Sequence, residues 1–260
     1  EVASRLSYLL WSSMPDAPLF DAAAKGLLAT PQQVAGQVAR MLHNPRVKQM
    51  TAYFSSEWLE LHRLDDWETT EKDKKTFPTF DPTLLPLMAH ELLADMDDAL
   101  LGDGGGLKGL LTNTTSLVPP RLGAYYDASL PKGTGQLAQR VTLTNHPGLL
   151  TRGGLLAQLA HAEQTSTTLR GRFVRQRLFC QDVPEPPPGV DNVVPAPASD
   201  TGRSRVGERL NSSFCAGCHS VMDPIGFALE RHDGAGRYRE REAGQLIDTR
   251  GEVTGSDVMG

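Results

Sequence analysis

No stretch of this chain approaches the roughly 18 consecutive apolar residues that a membrane-crossing helix needs. Charge of one sign is also missing: 26 Lys and Arg are interspersed with 31 Asp and Glu, for a formal net charge of −5. That balance excludes the basic footprint of a nucleic-acid-binding protein. The opening residues lack a charged leader, an apolar core and a small-residue cleavage site. The chain instead starts directly in an amphipathic pattern, Val2 to Trp11, and runs out in a loop-like stretch from Gly251 to Gly260. Both ends read as those of a fragment or a mature segment. Only three cysteines are present, and no second pair accompanies the first, so a closed zinc site lacks its usual two pairs of ligands. No internal repeat is visible.

Several motifs stop short of their chemistry. His90-Glu91 begins like a zinc-protease helix but has no second histidine, and reads as an exposed helix face. Asp95, Asp97, Asp98 and Asp103 fail the spacing of a calcium loop, because Ala99 and Leu100 stand where a ligand and the turn glycine belong. The glycines at 102–106 lack the lysine of a phosphate loop.

Helices, by contrast, are well punctuated. Ser13-Met14-Pro15-Asp16 ends one and opens the next. Thr30, Pro31 and Gln33 make a capped start, followed by Val34, Val38, Met41 and Leu42 at helical spacing. Met50, Phe54, Trp58 and Leu61 form another stripe, and Tyr8, Trp11 and Trp58 are expected in the core. Asp81-Pro82 opens a helix with Leu84, Leu85, Met88, Leu92, Met96 and Leu100 inward. Residues 112–147 are irregular, with a hairpin expected near Gln139 to Leu143. Helix returns over 149–161 and 169–180, and a further short helix is expected from Ser204 to Phe214, with another from Pro224 to Arg231. Pro184 to Pro188 and the stretch to Asp200 read as an extended linker.

The expected fold is therefore mainly α. A helical domain over 1–130 and a second over 131–183 are followed by a proline-rich linker at 184–203. A small cytochrome-c-like helical segment, truncated, fills 204–260.

One pentapeptide carries specific chemistry: Cys215-Ala216-Gly217-Cys218-His219. Two cysteines three apart with a histidine directly after them suit covalent attachment of haem c. Each thiol adds across one porphyrin vinyl group, and the adjacent imidazole takes the iron as proximal ligand. Ala216 and Gly217 let the backbone pass close to the porphyrin edge. Phe214, Ile225, Phe227 and Leu229 are candidate apolar walls. His161, at a helix end, and Met259, forty residues past His219, are the candidate distal ligands; Met222 is too close to swing round. Imidazole would lower the potential, thioether would raise it, and an open position would permit peroxide or oxygen chemistry. A zinc knuckle would have to recruit Cys180 and His161 from across the linker. A thioredoxin-like pair would want a βαβ context, and the flanks are helical.

Other polar residues have plainer readings. Cys180 is expected to pack as a buried apolar thiol. His146 and His232 read as surface or capping histidines. Arg170, Arg172, Arg175 and Arg177 fit a solvated basic face, with haem propionates as the other reading.

Three strings also resemble known domains. Ser4 to Asp16 is similar to the start of the domain of unknown function numbered fifteen-ninety-two. Gly148-Leu149-Leu150, Thr165-Ser166 and Leu169-Arg170-Gly171-Arg172-Phe173-Val174, with Cys180 before a proline run, resemble the domain numbered fifteen-eighty-eight. Thr167 replaces that family's usual proline. Met222-Asp223-Pro224-Ile225-Gly226-Phe227-Ala228-Leu229-Glu230 is similar to its joint with a third domain, numbered fifteen-eighty-five. These domains occur together in large secreted cytochrome-c-type proteins of planctomycetes. The resemblance implies an exported, periplasmic or extracellular haem protein that lacks its upstream portion and most of the third domain.

The expected role is electron transfer with a redox partner protein or an upstream cytochrome domain. The alternatives are a haem-dependent oxidase or peroxidase-like enzyme and a structural or cell-surface module.

Overall fold

The computed structural model describes residues 1–130, 137–183, 201–210 and 213–253, except for the side chains at 67, 208, 209, 213 and 214. The proline run, Met259 and the Phe214 side chain lie outside what is described. The chain is mainly helical, as its periodicity predicts, and forms two compact units. One comprises Glu1–Leu61 with Leu93–Leu110, the other His62–Leu92 with Leu111–Gly260.

The first unit contains helices α1 (Val2–Trp11), α2 (Ala17–Ala24), α3 (Pro31–Leu42) and α4 (Val47–Trp58). Its core is Ala3, Leu6, Leu10, Trp11, Leu19, Met41 and Val47. Trp11 is fully buried, and its indole N–H donates to the Met41 carbonyl at 3.1 Å. Asp16 caps α2 by accepting from the Leu19 amide, and its carboxylate also takes a two-pronged bond from Arg40 at 2.7 and 3.0 Å. That Arg40 bond holds the Asp16 carboxyl below the usual carboxylate range. The capping box at Thr30 and Gln33 forms as expected. Two expectations fail here. Tyr8 is exposed, because α1 buries Ala3, Leu6, Ser7, Leu10 and Trp11 and leaves Tyr8 off that face. α4 buries Val47, Thr51 and Ser55, not Met50, Phe54 and Trp58. The Thr51 hydroxyl donates to Asp97, which turns that face inward. Phe54 instead stacks on half-buried Trp58 with ring centres 5.8 Å apart.

The second unit is built from α5 (Trp67–Thr70), the first part of α6 (Leu85–Leu101), the end of α7 (Gly106–Thr112), α8 (Pro120–Tyr125), α9 (Gly153–Gln158), α10 (Thr167–Phe173), α11 (Gly202–Leu210) and α12 (Ser213–Phe227). Strand β1 (Thr115–Val118) pairs antiparallel with β2 (Gln139–Thr142), setting Thr115 opposite Thr142. The strand expected near Gln139 is therefore real, but its partner is a distant segment and not a neighbouring hairpin arm. A second short ribbon joins β3 (Arg241–Glu242) to β4 (Gln245–Leu246). Every residue from Thr151 to Ala160 is buried, which makes α9 the centre of this unit.

α10 starts at Ser166, whose hydroxyl accepts from the Leu169 amide at 3.2 Å, and runs into a π turn at Val174–Leu178. α12 differs from expectation. The helix expected over Ser204–Phe214 is α11, which ends at Leu210, and instead of a new helix starting at Pro224, one helix runs from Ser213 through Pro224 to Phe227. Pro224 removes only the backbone donor for the carbonyl one turn back, and it sits in the last turn, where little helix remains to disrupt. Amides of Ala228, Leu229 and Glu230 then bond the carbonyls three residues earlier and close the end.

Candidate functional site

Cys215, Cys218 and His219 sit at i, i+3 and i+4 of α12, so helical geometry aligns them on one face. All three are partly exposed, and neither cysteine is in a disulfide. One turn further on lies Asp223, fully buried. Its Oδ2 is 2.8 Å from Nδ1 of His219. Its Oδ1 accepts from the Thr168 hydroxyl at 2.6 Å and from Thr167 at 3.3 Å, both at the start of α10. With Nδ1–H donated to the carboxylate, the His219 tautomer is fixed and Nε2 carries the free lone pair. A metal-binding histidine is normally held in this way, its other ring nitrogen tied to a carboxylate.

The helix pair that carries this geometry is locked by charge as well as packing. Arg170, on α10, is fully buried and donates to the carbonyls of Leu229, His232 and Asp233 and to the Glu230 carboxylate, all at 2.8–2.9 Å. Glu230 also accepts from Thr165 at 2.7 Å. Arg175 donates to the Val221 carbonyl, in the middle of α12. Arg170 and Arg175 are thus interior anchors and not the solvated face read from the sequence. A cluster of arginines at helical spacing does not show which of them meet carbonyl ends. Gly171 and Gly226 allow the two helices to touch at backbone distance.

The strings that make this contact, Thr165 to Val174 and Met222 to Glu230, are also the ones that carry the sequence resemblance, and comparison with known families bears on both. Residues 1–128 match the family described as PSD4, protein of unknown function (DUF1592), and residues 146–242 match PSCyt3, protein of unknown function (DUF1588). The two matches follow one another along the chain. No curated protein and no solved structure matches it. Residues 222–230, read from the sequence as a joint to a third domain, lie inside the DUF1588 match. The whole Cys215–Asp223 constellation and its α10 support therefore belong to the DUF1588 domain.

The donor set of this domain fits haem c: two reachable thiols, an adjacent imidazole and a fixed tautomer. The other sequence-derived site residues are placed as follows. His161 is partly exposed and lines a polar cleft with Thr165, Thr168, Arg205 and Val206. Ile225, Phe227 and Leu229 are buried, and the Arg203 guanidinium lies 3.9 Å over the Phe227 ring. Cys180 is exposed, not buried, in a left-handed backbone position just past the π turn. Among the described residues, no group of three or more His, Cys, Asp or Glu is arranged to hold a bare metal ion, so the zinc knuckle with Cys180 and His161 is not assembled there.

A second buried polar group escaped sequence reasoning. His146 and His232, read as surface histidines, are both buried, with ring centres 5.0 Å apart. His146 also lies 4.5 Å from the Tyr126 ring. His146 Nε2 donates to the Gly236 carbonyl at 3.0 Å, and His232 Nε2 donates to the Asn145 carbonyl at 2.7 Å. Burial pushes the His146 pKa down to about 4 and that of His232 to about 3, so both rings are neutral. Tyr126 donates to Glu91 at 2.7 Å and accepts from the Gly153 amide at 2.9 Å. Burial, followed by the Glu91 charge, raises the phenol's pKa well above its ordinary value. Glu91 is fully buried and faces Arg152 at 3.7 Å, which overturns its reading as part of an exposed helix face. Lys72 is buried as well, with its ammonium on the Ala157 carbonyl and its pKa pushed by burial down to about 8. Nothing in the local sequence marks this group. Its members come from separate segments, and only the close packing around α9 brings them together.

Proposed function

We propose that this chain is an exported c-type haem protein that relays single electrons, with haem c attached through Cys215 and Cys218 and His219 as its proximal ligand. One observation carries the reading. The two thiols and the imidazole share one part-exposed helix face, while the ring's second nitrogen is committed to a buried carboxylate. A histidine used only for packing has no need of such an arrangement. The association of the DUF1592 and DUF1588 families with cytochrome-c-type proteins supports the same conclusion. Haem c, when bound, supplies a one-electron couple whose potential follows from its axial ligands, hydrogen bonds and burial. Here Cys215 and Cys218 tether it, His219 orients it, and Asp223 with Thr167 and Thr168 holds His219. His161 and Met259 are the candidate ligands for the opposite side. Because haem c is attached outside the cytoplasmic membrane, this reading puts its work in the periplasm or beyond, with a redox partner protein or an upstream cytochrome domain as the expected exchange partner.

A second reading, an oxidase or peroxidase-like enzyme, is favoured by the polar cleft at His161, where an imidazole and hydroxyls stand within the same domain. Rapid mixing separates the two. Electron transfer predicts prompt reduction by a one-electron donor, reoxidation by an oxidised cytochrome, and no turnover of peroxide. Steady consumption of peroxide with an oxidisable substrate supports the enzyme instead.

A further inference from the structure

Asp223 is the least explained charge near the site. It is fully buried, yet among the described residues no Lys or Arg pairs with it; its partners are two threonine hydroxyls and Nδ1 of His219. Other buried carboxylates of the same unit, Glu91 and Glu230, each face an arginine. A lone buried carboxylate is costly unless a positive charge compensates it, and hydroxyl donors alone leave most of its charge in place. Among the described residues the group placed to bring that charge is the His219 imidazole, 2.8 Å away, and a cationic centre bound at Nε2 would supply it.

We propose that Asp223 is a positioning residue that sets the electron affinity of the haem, pressing negative charge onto His219 and so favouring the oxidised iron. This rests on the haem reading above and adds to it a direction and a residue. Ferric iron carries one more positive charge than ferrous iron, so a carboxylate hydrogen-bonded to its ligand stabilises the ferric form more and lowers the potential. Thr167 and Thr168 act in the opposite sense. Their hydroxyls draw charge from the carboxylate, and removing one leaves a stronger acceptor facing the ring.

The test is redox titration of the exported, haem-loaded chain and two near-isosteric variants, with far-UV circular dichroism to confirm the fold. Asp223→Asn removes the charge and keeps the shape. Its oxidised-to-reduced ratio at a fixed applied potential falls at least tenfold, a rise of 59 mV or more in midpoint for a one-electron couple. Thr168→Val keeps the charge and removes one donor, and its midpoint moves downward. Opposite signs are the signature, since a loosened helix pair would shift both variants alike. An unchanged midpoint in Asp223→Asn, or shifts of the same sign in both, overturns the proposal while leaving haem attachment intact. If Asp223→Asn does not fold, the sign in Thr168→Val decides: downward supports the proposal, unchanged or upward overturns it. Wild-type protein without haem would instead remove the reading beneath it.

Discussion

Gly171 on α10 and Gly226 on α12 form a reciprocal contact. A methyl group on Gly171 would fall on the backbone carbonyl of Met222, and one on Gly226 would fall on that of Thr167. Neither obstacle is a side chain that can rotate away. Gly171→Ala and Gly226→Ala should therefore each destabilise the fold by about 1–3 kcal/mol, although alanine is the better helix former. Denaturant midpoints measure this. Unchanged midpoints would mean that the helices lie further apart than described.

Arg170 closes the other end of the same crossing. Its guanidinium serves three carbonyls and the Glu230 carboxylate with no exposure to water. Arg170→Ala leaves Glu230 buried beside a lost partner, at an expected cost of about 3–5 kcal/mol. Arg170→Lys should recover little, because one ammonium cannot span acceptors that a planar fork reaches from two sides. Urea unfolding of the two variants tests both statements.

How much of this was legible beforehand differed by kind of feature. Helix starts with local chemistry, such as Thr30 with Gln33 or Asp16 before Ala17, were readable because the cap and the amide it accepts from lie within one turn. The Cys215–His219 pentapeptide was readable for the same reason. The phase of α4 was not: Phe54 and Trp58 mark an apolar stripe as well as Val47 does, and only the distant Thr51–Asp97 bond decides which side faces in. His146, His232 and Glu91 looked like ordinary surface residues because nothing in their local segments points inward; their partners come from far along the chain. Asp223 was visible only as part of a string, and its role appears once α10 places Thr167 and Thr168 against it.

The histidine pair makes a pH prediction whose sign follows from burial. In the unfolded chain each imidazole titrates near its ordinary value of 6.5; in the fold, burial holds His146 at about 4 and His232 at about 3. Below about pH 6.5 the unfolded chain gains protons that the folded one refuses. Stability is thus complete above that pH and declines on acidification by up to about 1.4 kcal/mol per pH unit per ring, levelling off below the folded values. Arg152 and Arg170 add to the penalty, and Asp127 on the His146 side offsets part of it. Denaturation curves at pH 7, 6, 5 and 4.5 check the slope. His146→Gln with His232→Gln should flatten it even if the variant starts less stable.

Everything proposed for the redox role depends on a porphyrin held by Cys215 and Cys218. The most direct measurement is intact mass, together with pyridine haemochrome absorption, of protein exported through a host with haem-attachment machinery. The expected result is a mass increased by one haem that survives acid–acetone extraction, and loss of that attachment in Cys215→Ala with Cys218→Ala. Native, exported protein with both thiols free, joined to each other or bound to zinc would contradict it.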